Sequence, residues 1–551
     1  MKTLTLLLGL CTACIGHAAE PYDLVLRNGR IVDGTGNPWY VGDVAIRGDR
    51  IVAVGRVPEG PAKREIDVKG LVVAPGFIDM HSHSDFLLLE DGTAPSKIRQ
   101  GVTTEVLGEG QSAGPNTEGL RASASTGQRP RWFPTLGAYF TALEKSGTAV
   151  NVASYVGIDN VWQSAMGTSF VRPTPAQFEI MKRTLDQAMT DGAFGLSTML
   201  MMPPGSLATT DDLVELAKIA AKHRGIYSSH IRHEGTDVLA AVKEAIAVGE
   251  RAGIPVDIIH LKIAEQKLWG RMNEMVTLIE DARKRGVNVQ ANVYPYTRGN
   301  NNLASIVPPW AHEGGTAKML ERLKDPALRP RLKREITEGI PGWYNHYSAV
   351  GGDWSRMLVS GAGTYEGLTM DRVIATRSKD RTPTPDPLDV FLDVLIQEGG
   401  SVPTVFEHHS EADMNLAMQQ PWCSIGSDGA AYAIAGPLRR GNPHPRNFGT
   451  FPRVLGVYVR ERGVLRLEDA IRKMTSANAS KLGITDRGLL KPGMFADVTV
   501  FDPTTVADRS TYTKPFQYSV GIEHVIVNGV SVLEKGEPTG AKPGKALRHQ
   551  P

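Results

Sequence analysis

A chain of 551 residues exceeds what one hydrophobic core supports, since cores stop growing at about 250 to 300 residues and domains run about 100 to 200. Composition is that of an ordinary globular protein, 41% apolar and 22% charged, and 61 basic side chains nearly cancel 59 acidic ones. That balance gives no reason to expect a nucleic acid or an anionic membrane as partner.

The chain opens with MKTLTLLLGLCTACIGHAAE. One lysine, an uncharged apolar run from Leu4 to Ile15 and small residues ending at Ala18-Ala19 have the layout of a secretory signal over residues 1–19. The run falls short of the ~20 apolar residues of a spanning helix, so no transmembrane span is expected. The mature chain then starts near Glu20 in an exported, periplasmic protein, with a lipid anchor at Cys14 as the weaker alternative because Cys11 stands where such signals prefer leucine. Two of the 3 cysteines lie in this segment, which leaves Cys423 alone and rules out an intrachain disulfide in the mature protein.

Residues 20–75 alternate β-rich runs with turns: YDLVLRNGRIVDG, GDVAIRGDRIVAVG, REIDVKGLVVAPG. The Asn28-Gly29 and Gly48-Asp49 steps read as hairpin signals. FADVTVFD and HVIVNGVSVLEKGE, within residues 485–551, repeat that style, so both chain ends read as pieces of one small β-sandwich.

Between them the rhythm changes. Apolar spacing predicts helices over Asp211 to His223, Thr236 to Gly253 and Asn273 to Arg285, and strands over Ile226 to His230, Ile254 to His260 and Val287 to Val293. Strands alternating with helices at this period imply a parallel sheet, and eight such units close a barrel of about 250 residues. Residues 76–484 hold a (β/α)8 barrel, making the fold class α/β, with room for an insertion. That insertion is expected near 308–354, where Trp310, Trp343 and Trp354 argue for an ordered lid over the barrel mouth.

GFIDMHSHSDF begins the barrel. Residues i and i+2 of a strand point to one face, so His81 and His83 project together from a strand end, the active end of such barrels. Alone this pair is modest support for a metal. Three other expected strands also end in metal-ligand residue types: His230 in GIYSSH, His260 in IPVDIIH and Asp428 in PWCSIGSD. Glu109, in GVTTEVLGEG, is a further candidate whose carboxylate could bridge two ions, although a glutamate in a glycine-rich loop is more often a turn residue. His408, His409, His233 and Glu234 are not promoted to ligands, Cys423 reads as packing, and MLMMPP (199 to 204) reads as core filler or acyl pocket.

Together with GAFGLST, PPGS, SSHIR, HLK, NVYPY, IGSDG, HPR and RGLLKPGMFADVTVFDP, the signature PGFIDMHSHSD resembles the amidohydrolase superfamily and, within it, the N-acyl-D-amino-acid deacylases (D-aminoacylases). The resemblance runs over almost the whole mature chain. It implies that His230 and His260 hold a tight zinc, that His81 and His83 line a second metal position, and that Asp428 is the catalytic carboxylate. Family members that use a cysteine ligand carry it after GVTT; this chain has Glu109-Gly110 there, so a harder oxygen ligand replaces the thiolate and zinc selectivity falls. One or two Zn2+ ions are expected, other divalent metals being possible. The substrate implied is a small N-acyl amino acid, and Lys262, Tyr294 and Arg446 are the candidates for holding its α-carboxylate. Two other readings stay open: an amidohydrolase acting on a cyclic amide or a dipeptide, and a non-catalytic barrel-fold interaction or metal-binding protein. Oligomeric state is not legible.

Overall fold

The computed structural model describes residues 20–116 and 132–550. The leader expected over residues 1–19, with Cys11 and Cys14, lies outside the described residues. Among the described residues no helix is long and apolar enough to cross a membrane.

Both chain ends meet in one nine-stranded sheet. Its order runs Glu537–Pro538, Val530–Glu534, Ile522–Val527, Val498–Phe501, Val72–Pro75, Leu24–Ile31, Tyr40–Arg47, Arg50–Gly55, with Glu65–Asp67 also paired to Leu24–Ile31. Strand alternation assigns the faces: Leu24, Leu26, Val44 and Ile46 enter one apolar cluster, Val25 and Ala45 another. The sheet rolls back on itself, because the Ile51 N–H bonds to the Met494 carbonyl at 2.9 Å and the Gly493 N–H to the Ile51 carbonyl at 2.8 Å. Gly48-Asp49 and Asn528-Gly529 join adjacent antiparallel strands as two-residue turns. Asn28-Gly29 does not: it lies inside Leu24–Ile31 where the register shifts, with Asn28 at φ 64°. The Asn28 N–H bonds to Asp43 at 2.8 Å and its side-chain amide to Asp67 at 3.0 Å, so neighbouring carboxylates stabilise a bulge where the dipeptide alone suggests a hairpin.

The barrel wall consists of Phe77–Asp79, Val102–Leu107, Asn151–Ser154 continuing as Val156–Gly157, Gly195–Met199, Ile226–His230, Val256–Ile258, Val289–Val293 and Cys423–Ile425. All these pairings are parallel. The ring closes between the last strand and the first, where the Asp428 N–H bonds to the His81 carbonyl at 2.8 Å and the His83 N–H to the Gly429 carbonyl at 2.9 Å. Helices cover the outside for reasons local to the sequence. Thr209 and Asp212 form a reciprocal cap at the start of Thr210–Lys222, and Gly253, at φ 65°, stops Val238–Ala252.

Between the seventh and eighth strands the chain leaves the barrel from Arg298 to Glu407. It forms a three-stranded antiparallel sheet in the order Arg298–Asn302, Pro403–Glu407, Met357–Val359, packed with helices Thr316–Lys324, Arg329–Glu338, Met370–Ser378 and Pro387–Gln397 around its own apolar core. This excursion is wider than the 308–354 stretch drawn from the sequence. Residues 357–407 run strand, helix, helix, strand, a rhythm that imitates a barrel unit although its strands pair only with each other.

Candidate metal centre

Every proposed donor sits at or just beyond the C-terminal end of a barrel strand. His81 and His83 follow the first strand, Glu109 the second, His230 ends the fifth, His260 follows the sixth and Asp428 the eighth. Glu109 is brought inward by tight glycine packing: a Cβ on Gly108 would lie 2.5 Å from the Tyr155 carbonyl oxygen, and one on Gly110 would lie 2.5 Å from Met199 Cβ. His260 and Asp428 adopt φ of 38° and 50°. Left-handed backbone at non-glycine residues persists only where the surroundings enforce it, and it gathers at functional sites.

The Glu109 carboxylate lies between two imidazole pairs. Its Oε2 is 2.7 Å from His81 Nε2 and 3.1 Å from His83 Nε2, while its Oε1 is 2.7 Å from His230 Nδ1 and 3.6 Å from His260 Nε2. Asp428 completes the set, with Oδ1 3.0 Å from His83 Nε2 and Oδ2 4.0 Å from His260 Nε2. In each group, His81–His83–Glu109–Asp428 and Glu109–His230–His260, the ligand atoms lie within 4.8 Å of one another. Imidazole nitrogens and carboxylate oxygens converging on shared points, largely out of solvent, fit a divalent cation of the zinc type, and Glu109 belongs to both groups.

The electrostatics agree with that fit. Burial raises the Glu109 carboxyl, yet His81, His230 and His260 outweigh it and hold the group well below the usual range. Burial likewise opposes ionisation of Asp428, and Arg446 followed by His81 overcomes it. Burial lowers His83, but Asp428 and Glu109 push it up to about 10. Cation binding here therefore displaces protons and weakens as pH falls. Glu234, buried beside the pair, lies 3.2 Å from His260 Nδ1 and 3.6 Å from His230 Nε2, where a carboxylate fixes ring orientation.

The three carboxylate-binding candidates are placed differently. Arg446 lines the main cavity but is engaged: its Nη2 donates to Asp428 Oδ1 at 2.8 Å, its Nη1 lies 2.8 Å from Oδ2, and its guanidinium stands 4.9 Å over the Tyr294 ring. Lys262 donates to Glu234, and its Nζ lies 2.7 Å from His260 Nδ1. Tyr294 and Lys262 line a small neighbouring cavity with His409. The main cavity, about 730 Å³, has His83, Glu109, His230, His260, Asp428 and Arg446 among its lining, with Asn300, Asn301 and Ser360 contributed by the insertion. Those last three were missed by the sequence reading. Asn292, also missed, accepts the His260 N–H at 3.0 Å; it alternates with Tyr294 in NVYPY and was findable by strand period. Met199 lines the cavity, whereas Met201 packs in a small core cluster.

Five more imidazoles are buried, and one of them, His444, belongs to the lining of the main cavity. His233, His346, His408, His409 and His444 are buried, and burial pulls each below its usual value, His346 and His409 to about 3. These two stay neutral in the folded chain and take up protons on unfolding near 6.5, so their contribution is complete above that value and is lost as pH falls toward 3. At about pH 5.5 they together remove about 3 kcal/mol. The expected result is a lower urea midpoint for metal-stripped protein at about pH 5.5 than at about pH 7.5; equal midpoints would refute neutral burial of these rings.

Residues 64–533 match the model of the amidohydrolase family. The chain belongs to that family. An N-acyl-D-glutamate deacylase of Alcaligenes xylosoxydans xylosoxydans is 35% identical over 96% of this chain and 97% of its own, and a D-aminoacylase of the same organism is 33% identical over 96% and 98%. The crystal structure of the N-acyl-D-glutamate deacylase of Bordetella bronchiseptica, complexed with zinc and a phosphonate mimic of the tetrahedral intermediate, superposes on this amidohydrolase with TM-score 0.79 at 33% identity, over 96% of this chain and 100% of that one.

Proposed function

We propose that this amidohydrolase cleaves the amide bond of N-acyl-D-amino acids, releasing a carboxylate and a free D-amino acid. The observation that carries the reading is the Glu109 carboxylate joining His81, His83 and Asp428 to His230 and His260. The D preference is supported by the full-length likeness to the two deacylases. His81, His83, Glu109, His230 and His260 hold one or two zinc ions. When bound, zinc supplies the Lewis acidity that activates water and polarises the scissile carbonyl.

The chain's own groups do the rest. Asp428, kept ionised by Arg446, takes a proton from the attacking water and returns it to the amine nitrogen as the C–N bond breaks. Glu234 fixes the His260 ring. Arg446, its guanidinium over the Tyr294 ring, receives the substrate α-carboxylate at the wall of the cavity, where charge-assisted hydrogen bonds are strong. The insertion, through Asn300, Asn301 and Ser360, forms part of the cavity lining.

Zinc-replete protein should release amine from N-acetyl-D-amino acids and not from the L series. Silence on the D series with metal bound would defeat the reading and turn the search to cyclic amides and dipeptides. Arg446→Ala should raise KM for free-carboxylate substrates about 10- to 100-fold beyond its effect on the matching carboxamides. Equal shifts for the two substrate types would remove Arg446 from carboxylate recognition.

A further inference from the structure

Behind the donors, on the seam where the barrel closes, lies a group of buried polar residues to which the reaction assigns nothing. Lys97, on the short helix Pro95–Ile98, is wholly buried, as are Asp79, Ser82, Ser84, Glu105 and Ser427. Its ammonium lies 2.7 Å from Asp79 Oδ2, 3.0 Å from Ser82 Oγ, 3.1 Å from Ser427 Oγ and 3.2 Å from the Gly429 carbonyl oxygen, with Glu105 at 3.6 Å. These partners interleave with the functional residues. Ser82 stands between His81 and His83, while Ser427 and Gly429 flank Asp428. His83 and Asp428 line the main cavity, whereas Ser82 Oγ, Ser427 Oγ and the Gly429 carbonyl turn to Lys97.

The same partners are tied to one another. Asp79 accepts the Ser427 N–H at 2.7 Å, and Ser82 Oγ lies 2.9 Å from the Gly429 carbonyl oxygen. Glu105 accepts the Ser82 and Ser84 hydroxyls at 2.5 Å. Asp428 holds φ 50°, a conformation that its surroundings must enforce. We infer that Lys97 is a positioning residue: its ammonium clamps the segment carrying His81 and His83 to the segment carrying Asp428, and so sets their separation across the seam. The inference rests on the reading of the centre as a metal hydrolase.

Two variants test it. Lys97→Met combined with Asp79→Asn removes the closer ion pair as a unit, while Glu105 keeps the Ser82 and Ser84 hydroxyls. Ser427→Ala keeps the pair and removes one link to the Asp428 segment. The double variant should lower kcat about 100-fold or more with KM within about threefold, and should lose zinc to a competing chelator at about tenfold lower concentration. Ser427→Ala should show the same split at about a tenfold loss in kcat. If the double variant does not fold, Ser427→Ala decides. A purely structural role would lower Tm while leaving kcat and zinc retention near wild type, and that result overturns the proposal. Zinc retention is measured without substrate, so a wild-type protein silent on N-acyl-D-amino acids would refute the substrate reading while this arm still reports on Lys97.

Discussion

Asp428→Asn should lower kcat by a factor on the order of 10³ to 10⁴ while zinc remains bound. Asparagine keeps the shape of the side chain and one oxygen for Arg446, but it cannot take a proton from water. Glu109, His230 and His260 do not depend on Asp428 for their mutual arrangement, since they meet one another directly. Metal held by the Glu109–His230–His260 group should therefore match wild type in the purified variant. Arg446 loses its charged partner in a site where it is only 4% exposed, so some loss of Tm is expected, and activity must be compared per folded, zinc-loaded molecule. A metal-loaded variant that still turns over at near wild-type rate would remove Asp428 from the chemistry. One that loses metal would make Asp428 a ligand in the first place.

The candidate site was legible where a strand's period and a residue's chemistry coincide. His81 and His83 sit two apart at a strand end, and His230, His260 and Asp428 end or closely follow apolar runs that form strands in the barrel. Local apolar spacing suffices for such assignments, which is also why the helices Thr210–Lys222 and Met272–Lys284 fall within a residue or so of their expected bounds. What stayed hidden depends on contacts between distant parts of the chain. Lys97 meets Ser427 across 330 positions, and nothing near Lys97 in the sequence announces a buried ammonium. Lys262 was expected to face the substrate; its pairing with Glu234, 28 residues earlier, is set by how two barrel loops meet. Asn28-Gly29 carries the local chemistry of a hairpin, but Asp43 and Asp67 come from other strands and stabilise a bulge instead. The insertion misled because antiparallel pairing among its own strands is invisible to a reading based on one-dimensional rhythm.

Glu109→Ala should weaken zinc binding at both groups by at least about 100-fold, because the lost oxygens belong to the only side chain the groups share. Four imidazoles would remain, gathered around a point with reduced negative charge. Two imidazoles on one side, and two with Asp428 on the other, hold a divalent ion far less well than the same groups with the Glu109 carboxylate between them. Glu109→Cys separates charge from ligand type. A thiolate restores the negative charge and favours softer metals, so zinc retention should recover while competition by Mn2+ becomes weaker than in wild type. If Glu109→Ala kept full zinc occupancy, Glu109 would be a turn residue near the centre rather than part of it. If Glu109→Cys bound Mn2+ as well as wild type does, the oxygen at this position would not set metal preference, and selectivity would have to come from the imidazoles and the shape of the cavity.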